Sequence, residues 1–211
     1  IKGRSKRGGS IIERARVVVG ADGRRSLVAK AVRPEPYDDR PPLLAAYYTY
    51  WSGLPMDGRF EAYDRGDRNW AAWPTHDGLT CLPFGWPVEE FKANRGDIEG
   101  NFFAALDCAP GFADRVRAAK RESKFIGSAE LPGYFRKPYG PGWALVGDAG
   151  YHLHPITAQG ITDAFLDAER LTDALDAAFS ERATYDDALA GYQADRDEHV
   201  PMRCVRDHDL G

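Results

Sequence analysis

The sequence is poor in cysteine and has no long apolar run. Its 211 residues include only three cysteines, Cys81, Cys108 and Cys204, which are far apart and show no C-x-x-C spacing. This pattern argues against a disulfide scaffold and a structural zinc site, and it predicts a reducing, cytoplasmic compartment. No window approaches the roughly 18 unbroken apolar residues that a membrane-spanning helix needs. The mean hydropathy of -0.50 agrees with this prediction of no membrane span.

Strong net charge is also missing, although the charge is unevenly distributed. Hydrophobic residues make up 43% of the chain and the net charge is -4, which excludes intrinsic disorder. Residues 1–33 carry ten basic and two acidic side chains. Such a segment could contact nucleic acid or an anionic cofactor, but no motif of nucleic-acid recognition accompanies it. We therefore predict no nucleic-acid partner and interpret Gly3–Ser10 as a solvated hairpin tip.

Both ends of the chain show the pattern of an α/β sheet. Ile11–Gly20 predicts a strand, and its run Val17–Val19 is typical of a strand buried on both faces in a parallel sheet. Trp143–Val146 predicts a second short buried strand. Each strand leads into a Gly- and Asp-containing turn. From Thr162 a long helix follows, with a predicted buried face of Ala164, Phe165, Ala168, Leu171, Leu175 and Ala178. Tyr185–His199 predicts a further helix.

The middle of the chain changes to short aromatic-rich runs separated by hairpin-type breaks. These runs are Leu44–Trp51, Phe60–Tyr63, Asn69–Trp73 and Leu79–Phe84. They predict an antiparallel meander, to which Phe125–Leu131 could add a strand, with helices at Val88–Leu106 and Phe112–Lys120. The predicted class is mixed α/β (α+β). An antiparallel insert, residues 43–135, separates two pieces of one parallel-sheet domain, residues 1–42 and 136–211.

The two strand ends are the candidate chemical sites. In an open α/β sheet, ligands bind at the carboxyl ends of the strands. Asp22 could accept a hydrogen bond from a ribose hydroxyl, or it could act at the start of the following helix. At the second end, Asp148 follows the strand, and Gly160 opens the long helix about a dozen residues later. The N-terminus of such a helix offers free backbone N–H groups to an anion.

Together these motifs resemble a known family. G-A-D-G-R-R-S at 20–26 and G-D-A-G-Y-H-x-H-P-x-x-A-Q-G at 147–160 are similar to the two C-terminal flavin fingerprints of class A flavoprotein monooxygenases, the para-hydroxybenzoate hydroxylase-like enzymes. The resemblance covers essentially the whole chain, including the aromatic meander. It implies a partial FAD-binding domain with an inserted substrate domain. It also implies FAD as cofactor, NAD(P)H as reductant and hydroxylation of an organic, possibly aromatic, substrate.

The resemblance also implies roles for individual residues. Asp148 would bind the ribityl chain of FAD, with Gly147 allowing close approach. Pro155 and the turn Ala158-Gln159-Gly160 would lie against the flavin ring, and the helix start at Gly160 would stabilise negative charge on it. The implied cofactor-binding residues are Asp22, Gly23, Gly147, Asp148, Pro155, Ala158, Gln159, Gly160 and Ile161. No catalytic residue and no metal ligand is assigned.

One family feature is missing from the sequence. Family members begin with a strand and a G-x-G-x-x-G turn for the FAD pyrophosphate, and no such turn occurs here. Because the chain starts at Ile1, we expect it to be the C-terminal portion of a longer enzyme whose N-terminal half is a possible partner. Whether residues 1–211 bind FAD alone is left open. The fingerprints also differ from the family's in detail. The first usually continues Ser-x-x-Arg, whereas here the basic residue after Ser26 is Lys30, one position later. The second usually reads Gly-Asp-Ala-Ala-His, whereas here Ala149-Gly150-Tyr151 precedes His152.

Three alternatives follow from the same residues. A related FAD-dependent reductase or halogenase is the first, although Trp70-Ala71-Ala72-Trp73-Pro74 does not match the halogenase pattern Trp-x-Trp-x-Ile-Pro. A non-catalytic binding module derived from a flavoenzyme is the second. A metal site at His152 and His154 is the third, and it lacks a third ligand at metal spacing. Aromatic residues of the meander could line a substrate pocket: Tyr47, Tyr48, Tyr50, Trp51, Trp70 and Trp73.

Overall fold

The computed structural model describes residues 1–155 and 158–199, so the prediction for Cys204 lies outside the described residues. The fold is mixed α/β, as the sequence predicts. Two compact units are present: unit 1 comprises residues 1–40 and 133–211, and unit 2 comprises residues 41–132. The sequence placed the corresponding boundaries at 42/43 and 135/136. In the part of the chain that is described, no helix is long and apolar enough to cross a membrane.

The described helices and strands are short except for two helices near the C-terminus. The helices are α1 (Leu27–Val32), α2 (Phe91–Asn94), α3 (Ile98–Leu106), α4 (Pro110–Ala118), α5 (Gly160–Phe179) and α6 (Tyr185–His199). The strands are β1 (Lys2–Arg4), β2 (Ser10–Ile12), β3 (Val18–Gly20), β4 (Pro36–Arg40), β5 (Leu44–Ser52), β6 (Glu61–Arg65), β7 (Arg68–Pro74), β8 (Thr80–Pro87), β9 (Lys120–Arg121), β10 (Ile126–Ser128), β11 (Gly133–Arg136), β12 (Tyr139–Gly140), β13 (Trp143–Leu145) and β14 (Tyr151–His152).

The described residues of unit 1 form three small sheets. The exposed hairpin β1–β2 carries the basic N-terminal segment, and a second sheet has the order β14-β11-β4. The third sheet has the order β12-β13-β3, and β13 pairs with β3 in parallel. Helix α6 packs against α5, and Leu189 and Tyr192 of α6 are buried in a core with Ala144 and Leu171. The parallel pair that the sequence predicts is therefore present, although it is only two strands wide.

The predicted long strand at Ile11–Gly20 is wrong in its extent. Ser10–Ile12 pairs with β1, and only Val18–Gly20 joins the parallel sheet. The prediction that Val17–Val19 is buried on both faces is also wrong, because Val19 is 42% exposed. β3 is also an edge strand of its sheet. Within the described residues, nothing pairs with its outer edge.

The buried face of α5 also differs from the predicted apolar face. Asp163, Asp167, Leu171 and Ala174 are the buried residues of this helix. Phe165, which the periodicity placed in the core, is 74% exposed, and Ala168 is exposed as well. Two carboxylates therefore occupy positions that an amphipathic helix usually gives to apolar side chains. Both carboxylates lie in the first two turns of α5.

Unit 2 is an antiparallel sheet covered on one face by helices. Its strand order is β10-β5-β8-β7-β6, and β9 pairs with the end of β5. The predicted meander is present, and Ile126–Ser128 returns to the sheet beside β5. The predicted helix Val88–Leu106 is broken, because Asp97 caps a new helix, α3, by accepting a hydrogen bond from the Gly100 N–H at 2.8 Å. Trp51, Phe84, Phe102 and other aromatic residues form the core between sheet and helices.

Candidate functional site

The parallel pairing of β3 and β13 brings the two sequence motifs to one edge of the sheet. Trp143 lies opposite Val18, Ala144 opposite Val19 and Leu145 opposite Gly20. Just beyond the strands, the Val146 N–H donates to the Gly20 carbonyl at 3.0 Å. Both strands therefore end at the same level, and their turns begin side by side. We call residues 20–26 the first corner and residues 147–150 the second corner.

A cavity of about 730 Å³ opens at this edge, and its described lining lies entirely within unit 1. Ala21 and Gly23 of the first corner line it together with Gly147 and Asp148 of the second. The first two turns of α5 complete the wall. Most of the lining is apolar, with a few carboxyl, imidazole and phenol groups. This composition is typical of a pocket that binds a small organic molecule.

Most of the predicted site residues meet at this cavity. Seven of the nine contribute to its lining: Gly23, Gly147, Asp148, Pro155, Ala158, Gly160 and Ile161. Gln159 instead occupies the N-cap position of α5. Asp22 lies in the first corner, but it is not part of the lining.

The Asp22 carboxylate is directed at helix α1. Its Oδ2 accepts a hydrogen bond from the Leu27 N–H at 2.6 Å, and Ser26 caps the same helix by accepting from the Ala29 N–H. Hydrogen bonding to the Ser26 side chain, and then to backbone N–H groups, lowers the pKa of Asp22. Of the two roles that the sequence left open for Asp22, the geometry thus supplies the contact at the helix start.

The N-terminus of α5 faces the cavity, and its N-cap residue, Gln159, does not cap it. Gln159 makes no capping hydrogen bond, so the first-turn N–H groups have no side-chain acceptor at the N-cap. Among the described residues, a Cβ built on Gly160 would find a single neighbouring atom, Asp148 Oδ1, at 4.0 Å. The Asp148 carboxylate and the positive end of the helix are therefore adjacent at the mouth of the cavity.

The second corner is anchored to the same helix. The Gly147 N–H donates to Asp167 Oδ2 at 2.9 Å. Gly147 has a φ of 53°, and a Cβ there would lie 3.0 Å from the Ala164 Cβ. Only glycine satisfies both the backbone conformation and the close approach of the helix. Ala164 and Asp167, one turn apart on α5, thus fix the backbone position of Gly147, directly before Asp148.

Asp167 is a buried acid with incomplete hydrogen bonding. It has no exposed surface, and its Oδ1 has no hydrogen-bond partner among the described residues. Burial raises its pKa from 3.8 to about 6, and the Gly147 N–H and the Arg196 charge act in the opposite direction. Burial likewise raises the pKa of Asp163, which lies one turn earlier on α5 and lines the cavity. The Tyr151 phenol faces both acids, and its pKa is raised as well.

Sequence reasoning did not identify Tyr134, which contacts both corners. Its hydroxyl donates to the Asp148 carbonyl at 2.5 Å and lies 3.4 Å from the Arg24 carbonyl. Tyr134 is on β11, outside both motifs, so only the three-dimensional arrangement identifies it. Asp167 was missed for a different reason: an acid on a helix is usually a solvated residue.

The aromatic residues of unit 2 divide between the two faces of its sheet. Tyr47, Trp51 and Trp70 are buried in the core beneath the helices, so they do not line an open pocket. Tyr48 and Tyr50 alternate with them along β5 and lie on the other face, where their rings are in edge contact at 6.0 Å. Across β8, Cys81 lies opposite both Tyr50 and Trp73, which places Trp73 on this face too. We call Tyr48, Tyr50 and Trp73 the open aromatic face.

No protein-family model matches the chain, and no curated protein matches it in sequence. Solved structures do match its fold. The myxobacterial chondrochloren halogenase CndH, an FAD-dependent halogenase, is 20% identical, with a TM-score of 0.83 over 94% of this chain and 47% of CndH. The "probable FAD-dependent monooxygenase" PqsL from Pseudomonas aeruginosa is 29% identical, with a TM-score of 0.70 over 92% of this chain and 54% of PqsL.

PqsL has also been solved in complex with 2-aminobenzoylacetate, a small aromatic molecule, and that structure matches this chain with a TM-score of 0.69. The chain spans about half the length of these structural relatives. The relatives are FAD-dependent enzymes of two kinds, halogenases and a monooxygenase. The chain therefore has the fold of flavin-dependent monooxygenases and halogenases.

Proposed function

We propose that this chain is the C-terminal portion of an FAD-dependent, NAD(P)H-using monooxygenase of the para-hydroxybenzoate hydroxylase-like class, acting on an organic, aromatic substrate. One observation carries the proposal: the parallel pairing of β3 and β13 brings the two fingerprint corners and the start of α5 to one cavity. The shared fold with FAD-dependent enzymes supports the same assignment.

The residues at the cavity fit the flavin part of FAD. The glycines leave room, since a side chain on Gly160 would project beside Asp148 and one on Gly147 would collide with α5. Asp148 would accept hydrogen bonds from ribityl hydroxyl groups. The uncapped N–H groups of α5 would hold the electron-rich edge of the ring, while Pro155 and Ala158 would lie against it. Gly23 and Ile161 would complete the contact surface, with Asp22 and Gln159 fixing the adjoining helix starts.

When bound, FAD would supply hydride acceptance from NAD(P)H and activation of oxygen. This chain's own residues in unit 1 would bind and orient the cofactor. Tyr48, Tyr50 and Trp73 offer flat apolar surface with phenol and indole groups at the rim, which suits an aromatic ring carrying polar substituents. The complex of PqsL with an aromatic molecule supports this substrate class.

The site would be completed by a further polypeptide segment. The outer edge of β3 is unpaired within the described residues, and Val19 and Leu27 of this unit are exposed. Ile161 and Phe165, at the cavity, are 77% and 74% exposed. Apolar surface of this kind marks an interaction site. The relatives are about twice as long as this chain, so we assign this surface to the segment that would bind the FAD pyrophosphate.

FAD titration tests the proposal. The chain would be titrated alone and together with the polypeptide encoded upstream of Ile1, with binding followed by quenching of flavin fluorescence. Replacing Asp148 by alanine should weaken binding at least tenfold, because a hydrogen bond between a charged and a neutral group would be lost. Asp173→Ala is the matched control, because Asp173 is an exposed acid of α5 that does not line the cavity, and it should leave affinity unchanged. Absence of FAD binding in both formats would contradict the proposal.

A halogenase or a reductase of the same fold is the second candidate function, and the fold match to CndH favours including it. The reconstituted protein distinguishes these candidates. Substrate-stimulated NADPH oxidation with a hydroxylated product supports the monooxygenase, a chloride- or bromide-dependent product supports the halogenase, and NADPH oxidation without substrate modification supports the reductase. A protein that binds a ligand but never oxidises NADPH would be the non-catalytic module.

A further inference from the structure

Tyr134 is the side chain that contacts both corners of the candidate site. Its hydroxyl donates to the Asp148 carbonyl at 2.5 Å and lies 3.4 Å from the Arg24 carbonyl. These carbonyls belong to turns that follow two different strands and are far apart in the sequence. A tyrosine hydroxyl has a single proton, so the Asp148 carbonyl takes the strong bond and the Arg24 carbonyl a weaker contact.

The ring that carries this hydroxyl is held on several sides. Tyr134 lies on the middle strand of the β14-β11-β4 sheet, opposite His152 on one neighbour and Asp39 on the other. Its ring stacks against His152 with centroids 5.8 Å apart, and the Arg136 guanidinium lies 4.0 Å from the ring centroid. The residue is 6% exposed, so little side-chain freedom remains to be lost when the bonds form. The hydroxyl position is set by the sheet rather than by the corners.

Burial also keeps the Tyr134 hydroxyl a hydrogen-bond donor. It raises the pKa of the Tyr134 hydroxyl above its ordinary value, so the group remains protonated throughout the range in which proteins function. A neutral donor at this place satisfies a corner carbonyl without adding charge beside Asp148. Phenylalanine would fill the same space and keep the ring contacts, but it would leave the Asp148 carbonyl without this donor.

We propose that Tyr134 is a positioning residue that couples the two corners, so that ordering one corner orders the other. The inference rests on the proposed function for its consequence: a cofactor that contacts the second corner would find the first corner already in place. Gly23 and Asp148 would then both be ordered before the cofactor binds, so less conformational entropy would be lost on binding. Tyr134 would touch neither substrate nor cofactor in this role.

Hydrogen exchange of individual amides in the apo chain tests the coupling without any cofactor. The Ser26 N–H, bonded to the Gly23 carbonyl, reports the first corner, and the Gly150 N–H, bonded to the Gly147 carbonyl, reports the second. In Tyr134→Phe, both amides should exchange at least tenfold faster relative to the other protected amides of unit 1. A change at Gly150 alone, or an even change throughout unit 1, would overturn the proposal.

Tyr185→Phe is a matched control for the loss of a partly buried hydroxyl. The Tyr185 hydroxyl also reaches two backbone carbonyls of unit 1, Gly140 at 3.1 Å and Trp143 at 3.4 Å, but neither belongs to a corner. This variant should leave the exchange of Ser26 and Gly150 unchanged relative to the rest of the unit. If it accelerates both amides as much as Tyr134→Phe does, Tyr134 has no special coupling role.

FAD titration of the same variants separates this inference from the proposed function. If the wild-type protein binds FAD, Tyr134→Phe should weaken binding about tenfold more than Tyr185→Phe, and equal affinities would refute the positioning role. If the wild-type protein does not bind FAD in any format, the proposed function fails. The exchange experiment then still decides whether Tyr134 couples the corners.

Discussion

The buried carboxyl of Asp167 makes the stability of unit 1 depend on pH in a direction opposite to that of most acids. Burial raises its pKa from 3.8 to about 6, so between these pH values the folded chain binds more protons than the unfolded chain. Ionisation of Asp167 therefore removes stability as the pH rises through 6. A pKa shift of this size corresponds to a change of about 3 kcal/mol in the free energy of unfolding. The stabilisation is fully present only below about pH 4.

Asp167→Asn removes this dependence while leaving an oxygen that can accept from the Gly147 N–H. Relative to wild type, the free energy of unfolding of unit 1 should rise in the variant by about 3 kcal/mol between pH 4 and pH 7.5. Because the chain has two units, a global signal would mix two transitions. Urea unfolding should therefore be followed by hydrogen exchange of peptides from α5 and β13, which report on unit 1 alone.

Two further variants make the Asp167 experiment decisive. Asp173→Asn removes an exposed acid from the same helix, so it controls for the change of charge on α5. Asp167→Ala also removes the acceptor for the Gly147 N–H, and it should cost about 1–3 kcal/mol relative to Asp167→Asn. If the difference between Asp167→Asn and wild type is the same at pH 4 and pH 7.5, the reasoning about this buried charge is refuted.

Three other substitutions have defined expectations, each measured by urea unfolding with exchange or fluorescence detection in the relevant unit. Gly147→Ala should destabilise unit 1 by about 1–3 kcal/mol, because φ is 53° and the new Cβ meets Ala164; a neutral result would contradict the tight corner. Ser26→Ala should cost about 1 kcal/mol through loss of the α1 cap, while Ser26→Thr, which keeps the hydroxyl, should cost less. Phe102→Ala should destabilise unit 2 by about 3–5 kcal/mol and leave unit 1 unchanged; an equal loss in both units would show that they do not unfold separately.

The sequence predicts the parts of this fold whose causes are local. Short apolar runs that end in Gly- and Asp-containing turns identified β3 and β13 as strands of one parallel-sheet domain. Alternating aromatic residues identified the sheet of unit 2, because the period of a strand is visible in any short window. The periodicity alone did not show which face of β5 is covered. That choice is made by α3 and α4, which bury Trp51 and leave Tyr50 on the other side.

The features missed from sequence depend on contacts between distant segments. Nothing near Tyr134 in the chain indicates that its hydroxyl meets Asp148 and Arg24, since β11 carries no motif. The extent of β3 was overestimated because Ile11 and Ile12 have strand propensity, yet they pair with β1 in a separate hairpin. Propensity reports how well a residue suits a strand, not which strand it joins.

Helix α5 shows why apolar periodicity alone can misplace the buried face of a helix. Its N-cap residue Gln159 makes no side-chain capping bond, Ala164 lies against Gly147, and Asp167 accepts the Gly147 N–H. These contacts place polar and small residues on the face toward the sheet, so Ile161 and Phe165 lie on the exposed side. A helix selected only for packing would reverse this arrangement. The proposed function would account for this conflict between periodicity and burial. A buried carboxylate with one hydrogen bond among the described residues costs stability that apolar packing would have supplied.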